Sequence, residues 1–362
     1  MEIVKLNLKR RTYNIIIGSN ILGRLGKEIC KLKLGDTAYI ITNALIKNKY
    51  AGKLTKALKR SGIDVIYKTV PDSEQSKSIK ISTQVIIDIA RYDKKRRIFI
   101  IAFGGGVIGD LSGFIASIYK RGIPYIQIPT TLLAQVDSSI GGKTAVDLIE
   151  GKNLVGAFYQ PRLVLSDVRL LNTLSKRQVL SGLAEVIKYG IIKDRQLFTY
   201  LERNYQDILD LEPGALEHIV ARCSLIKANI VEQDEKEEKE IRTILNFGHT
   251  IGHAIEAASS YKKHTHGEGI ALGMLAAVDI SRRLNLINQS ISQRIEKLIK
   301  LVGLPIRIRK LPLKGIINAH YHDKKFIGKK NRFVLLEDIG KTKIVVNIPS
   351  KIIREAILRI GE

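Results

Sequence analysis

The sequence predicts an α/β domain with a mostly parallel sheet over residues 1–175, followed by a mainly α-helical domain over residues 176–362. In the first part, short apolar runs alternate with amphipathic helical segments, a pattern typical of parallel α/β sheets. In the second part, apolar residues recur with the period of a helix over long segments. A length of 362 residues is enough for two domains, each with its own hydrophobic core.

The first domain opens with residues 1–20, which alternate apolar and polar residues like a strand and lack the apolar block of a signal peptide. Three further apolar runs predict buried strands that end in turn residues: TAYIITN, RIFIIAFGGG and IPYIQIPTTLL. Two amphipathic segments predict helices between strands: KLTKALKRSGI and KISTQVIIDIARYD.

The second domain begins at a plausible helix cap, Ser175. Four long segments with helical period follow: residues 175–194, 214–241, 244–259 and 267–286. Near the end, RFVLLEDIGKTKIVVNI predicts two strands around a turn at Ile339 and Gly340, with a last helix after them. A cleft between the two domains is the default place for a functional site.

The charge is strongly positive, with 60 Lys and Arg residues against 35 Asp and Glu residues and a net charge of +25. This suits either nucleic-acid binding or charge spread over solvated faces, part of which attracts an anionic substrate. The second interpretation is favoured, because the basic residues are dispersed, aromatics make up 6% and Trp is absent.

No apolar run in the sequence is long enough for a membrane span. The two cysteines lie far apart, which favours a cytoplasmic location.

Two stretches of the first domain suit phosphate groups. FGGGVIGD follows a predicted strand and holds Gly104, Gly106 and Gly109 in a G-x-G-x-x-G pattern, which brings backbone N–H groups close to a pyrophosphate. The alternative is a tight strand-to-helix turn, and no acidic residue about 20 positions on completes a simple dinucleotide fingerprint. Residues 129–158 are rich in hydroxyl side chains and glycines and contain Lys143 and Lys152, a combination that suits phosphate oxygens. The alternative interpretation is an ordinary polar loop. The polar run PDSEQSKS ends where a helix begins.

Histidines cluster in the second domain, where four of the chain's seven lie between residues 249 and 266. His249 and His253 are four residues apart, so on a helix their side chains share one face about 5–6 Å apart. Glu185 lies in an otherwise apolar helix, where a carboxylate needs a partner. Two imidazoles and one carboxylate make a three-ligand site with an open position, as catalytic zinc requires. Spacing alone does not decide among His249, His253, His264 and His266.

Taken together, these stretches resemble the 3-dehydroquinate synthase family, within the wider sugar phosphate cyclases. The resemblance runs in order along nearly the whole chain: PDSEQSKS, GGGVIGD, RGIPYIQIPTTLLAQVDSSIGGKTAVD, GKNLVGAFYQP, GLAEVIKYG, RTILNFGHTIGHAIE, HGEGIALGM, and DKK followed by VLLEDIG. It implies a nucleotide-binding α/β domain and a helical metal-binding domain.

The resemblance implies that Glu185, His249 and His266 bind one divalent metal, zinc or cobalt, and that His253 contacts substrate and acts in catalysis. It also implies a set of residues that hold the phosphate, carboxylate and hydroxyl groups of the substrate: Lys143, Lys188, Lys227, Arg242, Asn246, Asn153, Lys325 or its neighbour Lys324, and Arg121 from a neighbouring subunit. A homodimer follows from the same resemblance.

NAD is the second cofactor that the resemblance implies. The residues that would bind it are Asp72, Ser73, Glu74, Gln75, Ser76, Lys77, Gly106, Val107, Ile108, Gly109, Asp110, Thr130, Thr131, Lys143, Lys152, Leu170, Leu171, Asn172 and Thr173. Small departures from the family pattern occur at Leu170 and Ser175, where Phe and Pro are expected, and in DSEQSK, where Ser replaces Gly and Tyr.

The implied reaction converts 3-deoxy-D-arabino-heptulosonate 7-phosphate to 3-dehydroquinate and phosphate, a carbon–oxygen lyase step of the shikimate pathway to the aromatic amino acids. It comprises transient oxidation of the C5 hydroxyl by NAD, β-elimination of phosphate, re-reduction and intramolecular aldol closure. A related cyclase acting on glucose 6-phosphate or sedoheptulose 7-phosphate is the alternative. Arg242, Asn246 and His253 favour the substrate with a carboxylate. Neither nucleic acid nor membrane is expected as a partner.

Overall fold

The computed structural model describes residues 1–94, 96–259, 264–308, 313, 315–316 and 331–361. The chain divides into two compact units, one made of residues 1–174 and 216–236 and the other of residues 175–215 and 237–362.

The first unit is built on a sheet whose strands run in the order β1-β2-β9-β6-β5-β3-β4. Strand β1 pairs with β2 in antiparallel fashion, and all other neighbours in this sheet are parallel, which confirms the predicted mostly parallel sheet. A separate antiparallel hairpin joins β7 and β8. The bounds of the strands are β1 (Glu2–Leu6), β2 (Tyr13–Gly18), β3 (Thr37–Thr42), β4 (Asp64–Thr69), β5 (Ile98–Gly104), β6 (Tyr125–Pro129), β7 (Lys143–Leu148), β8 (Gly151–Phe158) and β9 (Leu163–Asp167).

Side chains of the central strand β5 alternate between two cores. Phe99, Ile101 and Phe103 pack into one hydrophobic cluster, whereas Ile98 and Ile100 pack into the other. Because both faces of the sheet are buried, the strand is a continuous apolar run and not an alternating one. Helices between the strands cover these faces: α1 (Leu25–Leu32), α2 (Ala44–Lys59), α3 (Ile79–Tyr92) and α4 (Gly106–Ile118).

The remaining helices and strands begin at residue 176. They are α5 (Lys176–Lys193), α6 (Arg195–Leu209), α7 (Pro213–Gln233), α8 (His249–Ala258), α9 (His266–Arg283), α10 (Gln289–Leu301), β10 (Arg332–Asp338), β11 (Lys341–Val346) and α11 (Ser350–Gly361). Strands β10 and β11 form the antiparallel hairpin predicted around Ile339 and Gly340. Ser175 caps α5 through a capping box with Gln178, as its position in the sequence predicts.

Most of helix α7 belongs to the first unit, although it lies after the division predicted at residue 175. Its charged side chains meet that unit directly. The Lys227 Nζ lies 2.7 Å from Asp137 Oδ1, and Glu232 accepts a hydrogen bond from the backbone N–H of Asn7. Leu216 and Ile219 of the same helix are buried. Helical period identifies α7 as a helix but does not show which unit its buried face joins.

Glycines allow α9 to approach two neighbouring helices at backbone distance. A Cβ on Gly273 would lie 1.9 Å from the carbonyl oxygen of Gly248, at the start of α8. A Cβ on Gly267 would lie 2.4 Å from the Cα of Ser181, in α5. No larger residue fits at either position without movement of the backbone. The first half of α9 is therefore held against both α5 and α8.

The β7–β8 hairpin is an element that the sequence did not predict, since its hydroxyls and glycines suggested a polar loop. The alternation of Thr144, Val146 and Leu148 with other residues is a strand signal, and Glu150-Gly151 marks the turn. No helix in the described part of the chain combines the length and the apolar character that crossing a membrane requires.

Candidate active site

Three side chains from three helices converge in the second unit. Glu185 lies on α5 and is 1% exposed, while His249 and His266 are the first residues of α8 and α9. The Glu185 Oε1 lies 3.5 Å from His249 Nε2 and 3.2 Å from His266 Nε2. The close packing of α9 on α5 and α8 produces this convergence, and a capping box between Thr265 and Glu268 fixes where α9 begins.

The second nitrogen of each imidazole is also engaged. His249 Nδ1 lies 3.1 Å from the carbonyl oxygen of Phe247, and His266 Nδ1 lies 3.0 Å from Glu256 Oε1. A carbonyl or carboxylate can only accept, so these contacts place the proton on Nδ1 when the rings are neutral. The Nε2 lone pairs of both rings then face Glu185, as metal ligation requires.

The three donors fit a divalent metal. A tetrahedral ion with bonds of about 2.0–2.1 Å separates its ligand atoms by about 3.3 Å. The observed separations of 3.2 and 3.5 Å agree with that spacing. Ligand atoms of Glu185, His249 and His266 all lie within 4.8 Å of one another. Two imidazoles and one carboxylate leave a position open for a substrate oxygen.

A second group in the same place has the same kind of donors: His253, Glu256 and His266. The His249 and His253 ring centroids are 5.2 Å apart, in agreement with the spacing expected for positions i and i+4. Neither group of three found among the described residues includes His264. Geometry thus separates His264 from the cluster but keeps His253 within reach of it.

Charges within the cluster depend strongly on one another. Burial by itself would raise the pKa of Glu185, but Lys188 and the two imidazoles outweigh that effect and hold the pKa well below its usual value. Burial and the nearby Lys188 cation lower the pKa of His249. Burial would also lower the pKa of His266, but its contacts with Glu185 and Glu256 raise it to about 10.

Two other residues of the predicted site, Lys188 and Arg242, are close in sequence to members of this cluster. Lys188 is 2% exposed, and its Nζ pairs with Glu185 Oε2 one helical turn away. Arg242 is 3% exposed, with its Nε 3.2 Å from Glu237 Oε1. It lies on a 3₁₀ turn, residues 241–246, which ends at the exposed Asn246 just before α8.

In the first unit, four of the segments predicted to bind NAD follow the carboxyl ends of parallel strands, whereas Lys143 and Lys152 lie in the β7–β8 hairpin. Residues 72–77 follow β4, residues 106–110 follow β5, residues 130–131 follow β6 and residues 170–173 lie in a 3₁₀ turn after β9. Carboxyl ends of parallel strands meet at one edge of the sheet, so the fold gathers these segments there. The strand order also reverses between the neighbours β3 and β5, which makes a switch point of the kind where α/β proteins bind ligands.

The glycine turn between β5 and α4 is tightly enclosed. A Cβ on Gly105 would lie 3.0 Å from Thr131, and one on Gly106 would lie 3.1 Å from Ser138. The Thr130 N–H donates to the Gly104 carbonyl, which ties the β6 end to the turn. Helix α4 begins at Gly106 and so directs its first N–H groups toward this edge.

Lys77 connects several predicted residues of this edge. Its side chain is 5% exposed, and its Nζ lies 2.8 Å from Asp110 Oδ2 and 2.5 Å from Asn153 Oδ1. Glu74 lies 3.7 Å from Lys77 and 3.4 Å from Lys152. Burial raises the pKa of Asp110 to about 6, although Lys77 acts in the opposite direction.

A cavity of about 510 Å³ opens within the first unit, between the hairpin, α4 and α7. Its lining includes three residues predicted to hold substrate, Lys143, Asn153 and Lys227, together with Asp110. Lys227 donates to both the backbone and the side chain of Asp137. Two lysines in one concave surface suit a phosphate group.

The remaining predicted substrate residues are Arg121 and one of Lys324 and Lys325. Arg121 is exposed, in a left-handed backbone conformation with φ of 62°. Lys324 and Lys325 lie outside the described residues.

Two residues of the site were not predicted from the sequence: Glu256, which contacts His266, and Asp137, which contacts Lys227. For Glu256, a spacing of three residues from His253 and seven from His249 on one helix was the available signal.

The fold is that of the NAD- and metal-dependent sugar phosphate cyclases. The structure is similar to that of a 2-deoxy-scyllo-inosose synthase solved with carbaglucose-6-phosphate, NAD⁺ and Co²⁺. The TM-score is 0.89 at 29% sequence identity, with 100% of both chains covered.

Sequence comparison narrows the class further. Residues 67–181 match the model of the 3-dehydroquinate synthase N-terminal domain, and residues 182–326 match the model of its C-terminal domain. The 3-dehydroquinate synthase of Caldanaerobacter subterraneus subsp. tengcongensis is 47% identical, over 95% of this chain and 97% of its own. That of Thermoanaerobacter pseudethanolicus is 45% identical, over 95% of this chain and 96% of its own. The chain belongs to the 3-dehydroquinate synthase family, whose members are carbon–oxygen lyases.

Proposed function

We propose that this chain converts 3-deoxy-D-arabino-heptulosonate 7-phosphate to 3-dehydroquinate and phosphate. The observation that carries the proposal is the grouping of Lys143, Asn153 and Lys227 around one cavity whose lining also includes Asp110, in a member of this family. Lys143 and Lys227 supply two cations for a phosphate in this cavity, and Asp110 comes from the segment of the glycine turn. Chains 45% and 47% identical carry the name of the same activity.

Glu185, His249 and His266 hold the divalent metal, zinc or cobalt, in this proposal. When bound, such an ion lowers the pKa of a hydroxyl in its open position, and NAD accepts and returns the hydride of the C5 carbon. The chain's own contribution is to fix the three donors on separate helices. Lys188 pairs with Glu185 and so balances its buried charge.

The substrate's phosphate lies against Lys143 and Lys227, and Asn153 donates a hydrogen bond from its amide. Lys77 supports the amide by donating to its oxygen, which leaves the Asn153 NH₂ group to face the ligand. Phosphate held by cations is a better leaving group, and its oxygens lie near the C6 proton that the elimination removes. The protein then needs no dedicated base for that step.

The substrate's carboxylate is assigned to Arg242 and Asn246, with His253 completing the group. Arg242 and Asn246 precede α8 and His253 lies within it, so residues 242–253 carry the carboxylate contacts and the metal ligand His249. His253 exchanges a proton with the substrate, because an imidazole can both donate and accept near neutral pH. A sugar phosphate without a carboxylate would leave Arg242 without this anionic ligand.

We further propose a homodimer in the cytoplasm. The family resemblance supports a dimer in which Arg121 reaches the neighbouring subunit's substrate, and its exposure in this structure is compatible with that role. Cys30 and Cys223 lie far apart in the sequence with no CxxC motif, which favours a reducing compartment. Light scattering after size exclusion should give about twice the mass of 40.5 kDa for one chain.

A phosphate-release assay tests the proposed activity. The purified protein, NAD⁺ and Zn²⁺ or Co²⁺ are incubated in parallel with the heptulosonate phosphate, glucose 6-phosphate and sedoheptulose 7-phosphate. Release from the first substrate only is the expected result. Release from either of the other sugars at a comparable rate would instead identify a related cyclase.

A further inference from the structure

Glu256 is a buried carboxylate that contacts a candidate metal ligand but is not itself part of the proposed ligand set. It is 8% exposed on α8, and its Oε1 lies 3.0 Å from His266 Nδ1. A carboxylate is costly to bury unless it accepts hydrogen bonds from a partner. The buried position of the Glu256 carboxylate therefore depends on its hydrogen bond with His266.

The packing around Glu256 holds it in this contact. A Cβ on Gly269 would lie 3.1 Å from Glu256 Cγ, so the absence of a side chain there makes room for the carboxylate. His249, His253 and Glu256 are spaced four and three residues apart and lie along one face of α8. Helix α8 thus presents a ligand at its first turn and the carboxylate two turns later, both toward the start of α9.

We propose that Glu256 is a positioning residue for the metal, acting through His266. By accepting a hydrogen bond from Nδ1–H, it fixes the tautomer that keeps the Nε2 lone pair available, and its negative charge makes the imidazole a stronger electron donor to the metal. His249 has only a neutral acceptor at Nδ1, the Phe247 carbonyl. The two imidazoles therefore differ, with His266 the more basic ligand.

The inference rests on the proposed metal site, and its test is a binding measurement without substrate or NAD. Zinc affinity is measured by competition with a chromophoric chelator for the wild type, Glu256→Gln, Glu256→Ala and His249→Ala. Loss of an outer-shell partner typically costs 10–100-fold in metal affinity. Glu256→Ala should lose affinity in that range, and Glu256→Gln should lose less, because an amide oxygen still accepts the hydrogen bond without the charge.

Cobalt spectra provide a readout that a merely structural role would not change. In Co²⁺-loaded Glu256→Gln, the visible absorption bands should shift relative to the wild type, because the donor strength of His266 has changed. Glu202→Gln is the matched control, since Glu202 is also a partly buried carboxylate in an ion pair, with Arg294 at 2.7 Å. That variant should keep wild-type affinity and spectrum. Circular dichroism of each metal-free variant checks the fold.

Three different outcomes would overturn either the role of Glu256 or the metal site on which that role depends. Wild-type affinity and an unshifted spectrum in both Glu256 variants would refute the role of Glu256 alone, provided that His249→Ala loses zinc. Full zinc binding by His249→Ala would refute the metal site itself. Two zinc ions per wild-type chain, falling to one in Glu256→Ala, would show that His253, Glu256 and His266 form a second metal site and that Glu256 is a ligand.

Discussion

The function of each histidine at the site depends on what surrounds both of its ring nitrogens. His249 and His266 each direct Nε2 at Glu185 while Nδ1 meets an acceptor, an arrangement that prepares a ligand. His253 lies on the same face of α8, but its imidazole is assigned to the substrate. The sequence predicted this cluster and left the division of labour open, because residue spacing does not specify hydrogen-bond partners.

Replacement of single histidines tests that division. His249→Ala should lose bound metal, because the site loses one of three donors. His253→Ala should keep the metal but lose turnover by about 10²–10⁴-fold, the usual contribution of a proton-transferring group. Metal content is measured by mass spectrometry after dialysis, alongside phosphate release. Metal-free His253→Ala together with fully loaded His249→Ala would reverse the assignment.

Asp110 gives a prediction about pH. Its pKa in the folded protein, raised by burial to about 6, exceeds the usual value of about 3.9 that applies to the unfolded chain. The folded protein thus binds this proton more tightly, so the stability contributed by the carboxyl falls as pH rises from about 4 to about 6 and is constant above. The pKa shift of Asp110 corresponds to about 3 kcal/mol of stability. Because the side chain is 22% exposed, this value is an upper limit.

Urea unfolding of the wild type and Asp110→Asn at pH 4.5, 5.5 and 7 measures this effect. The stability of the wild type relative to the variant should decrease across the series. Asp64→Asn, at the exposed start of β4, is the control and should show no such trend. A wild-type advantage that stays constant or grows with pH would refute the raised pKa.

At the scale of elements, the sequence predicted what depends on local pattern. The buried run of β5 and the capped start of α5 were predicted, because apolar period and capping residues are local signals. Strands β7 and β8 were missed, because the hydroxyls, glycines and lysines along them are also typical of a polar loop and mask the alternation of Thr144, Val146 and Leu148. The unit to which α7 belongs depends on distant partners such as Asp137, which no local pattern specifies.

The close contact between α8 and α9 can be tested by adding one methyl group. Gly273→Ala would place a Cβ 1.9 Å from the Gly248 carbonyl oxygen and 2.7 Å from the Gly252 nitrogen. Because both are backbone atoms, the helices must separate, which should lower the free energy of unfolding by about 1–3 kcal/mol and weaken metal binding. Thermal unfolding and zinc content measure the two effects.

Gly52→Ala in α2 is the matched control, since a Cβ there meets no atom within 4 Å. It should be neutral or stabilising by up to about 1 kcal/mol, because alanine favours a helix. If Gly273→Ala is as stable as Gly52→Ala and retains zinc, the glycines are not what positions His266.

For the whole molecule, the net charge of +25 poorly indicates function, whereas small groups of charges indicate it well. Lys143 and Lys227 line one cavity, and Lys188 neutralises one buried carboxylate. The fold class could be predicted from the sequence, because apolar period and turn residues are local signals. The three candidate metal donors lie in separate motifs, so their grouping was predicted only through the family resemblance. The role proposed for Arg121 involves a second subunit, which no local pattern of the sequence specifies.

The most direct test of the account is the stoichiometry of NAD during turnover. The substrate and the products differ by no net oxidation, so the C5 carbon that is oxidised must be reduced again in the same turnover. Phosphate release and NADH absorbance are followed together, with NAD⁺ far below the concentration of the heptulosonate phosphate. The account predicts complete phosphate release with no accumulation of free NADH. NADH rising in proportion to phosphate would contradict it and identify a dehydrogenase.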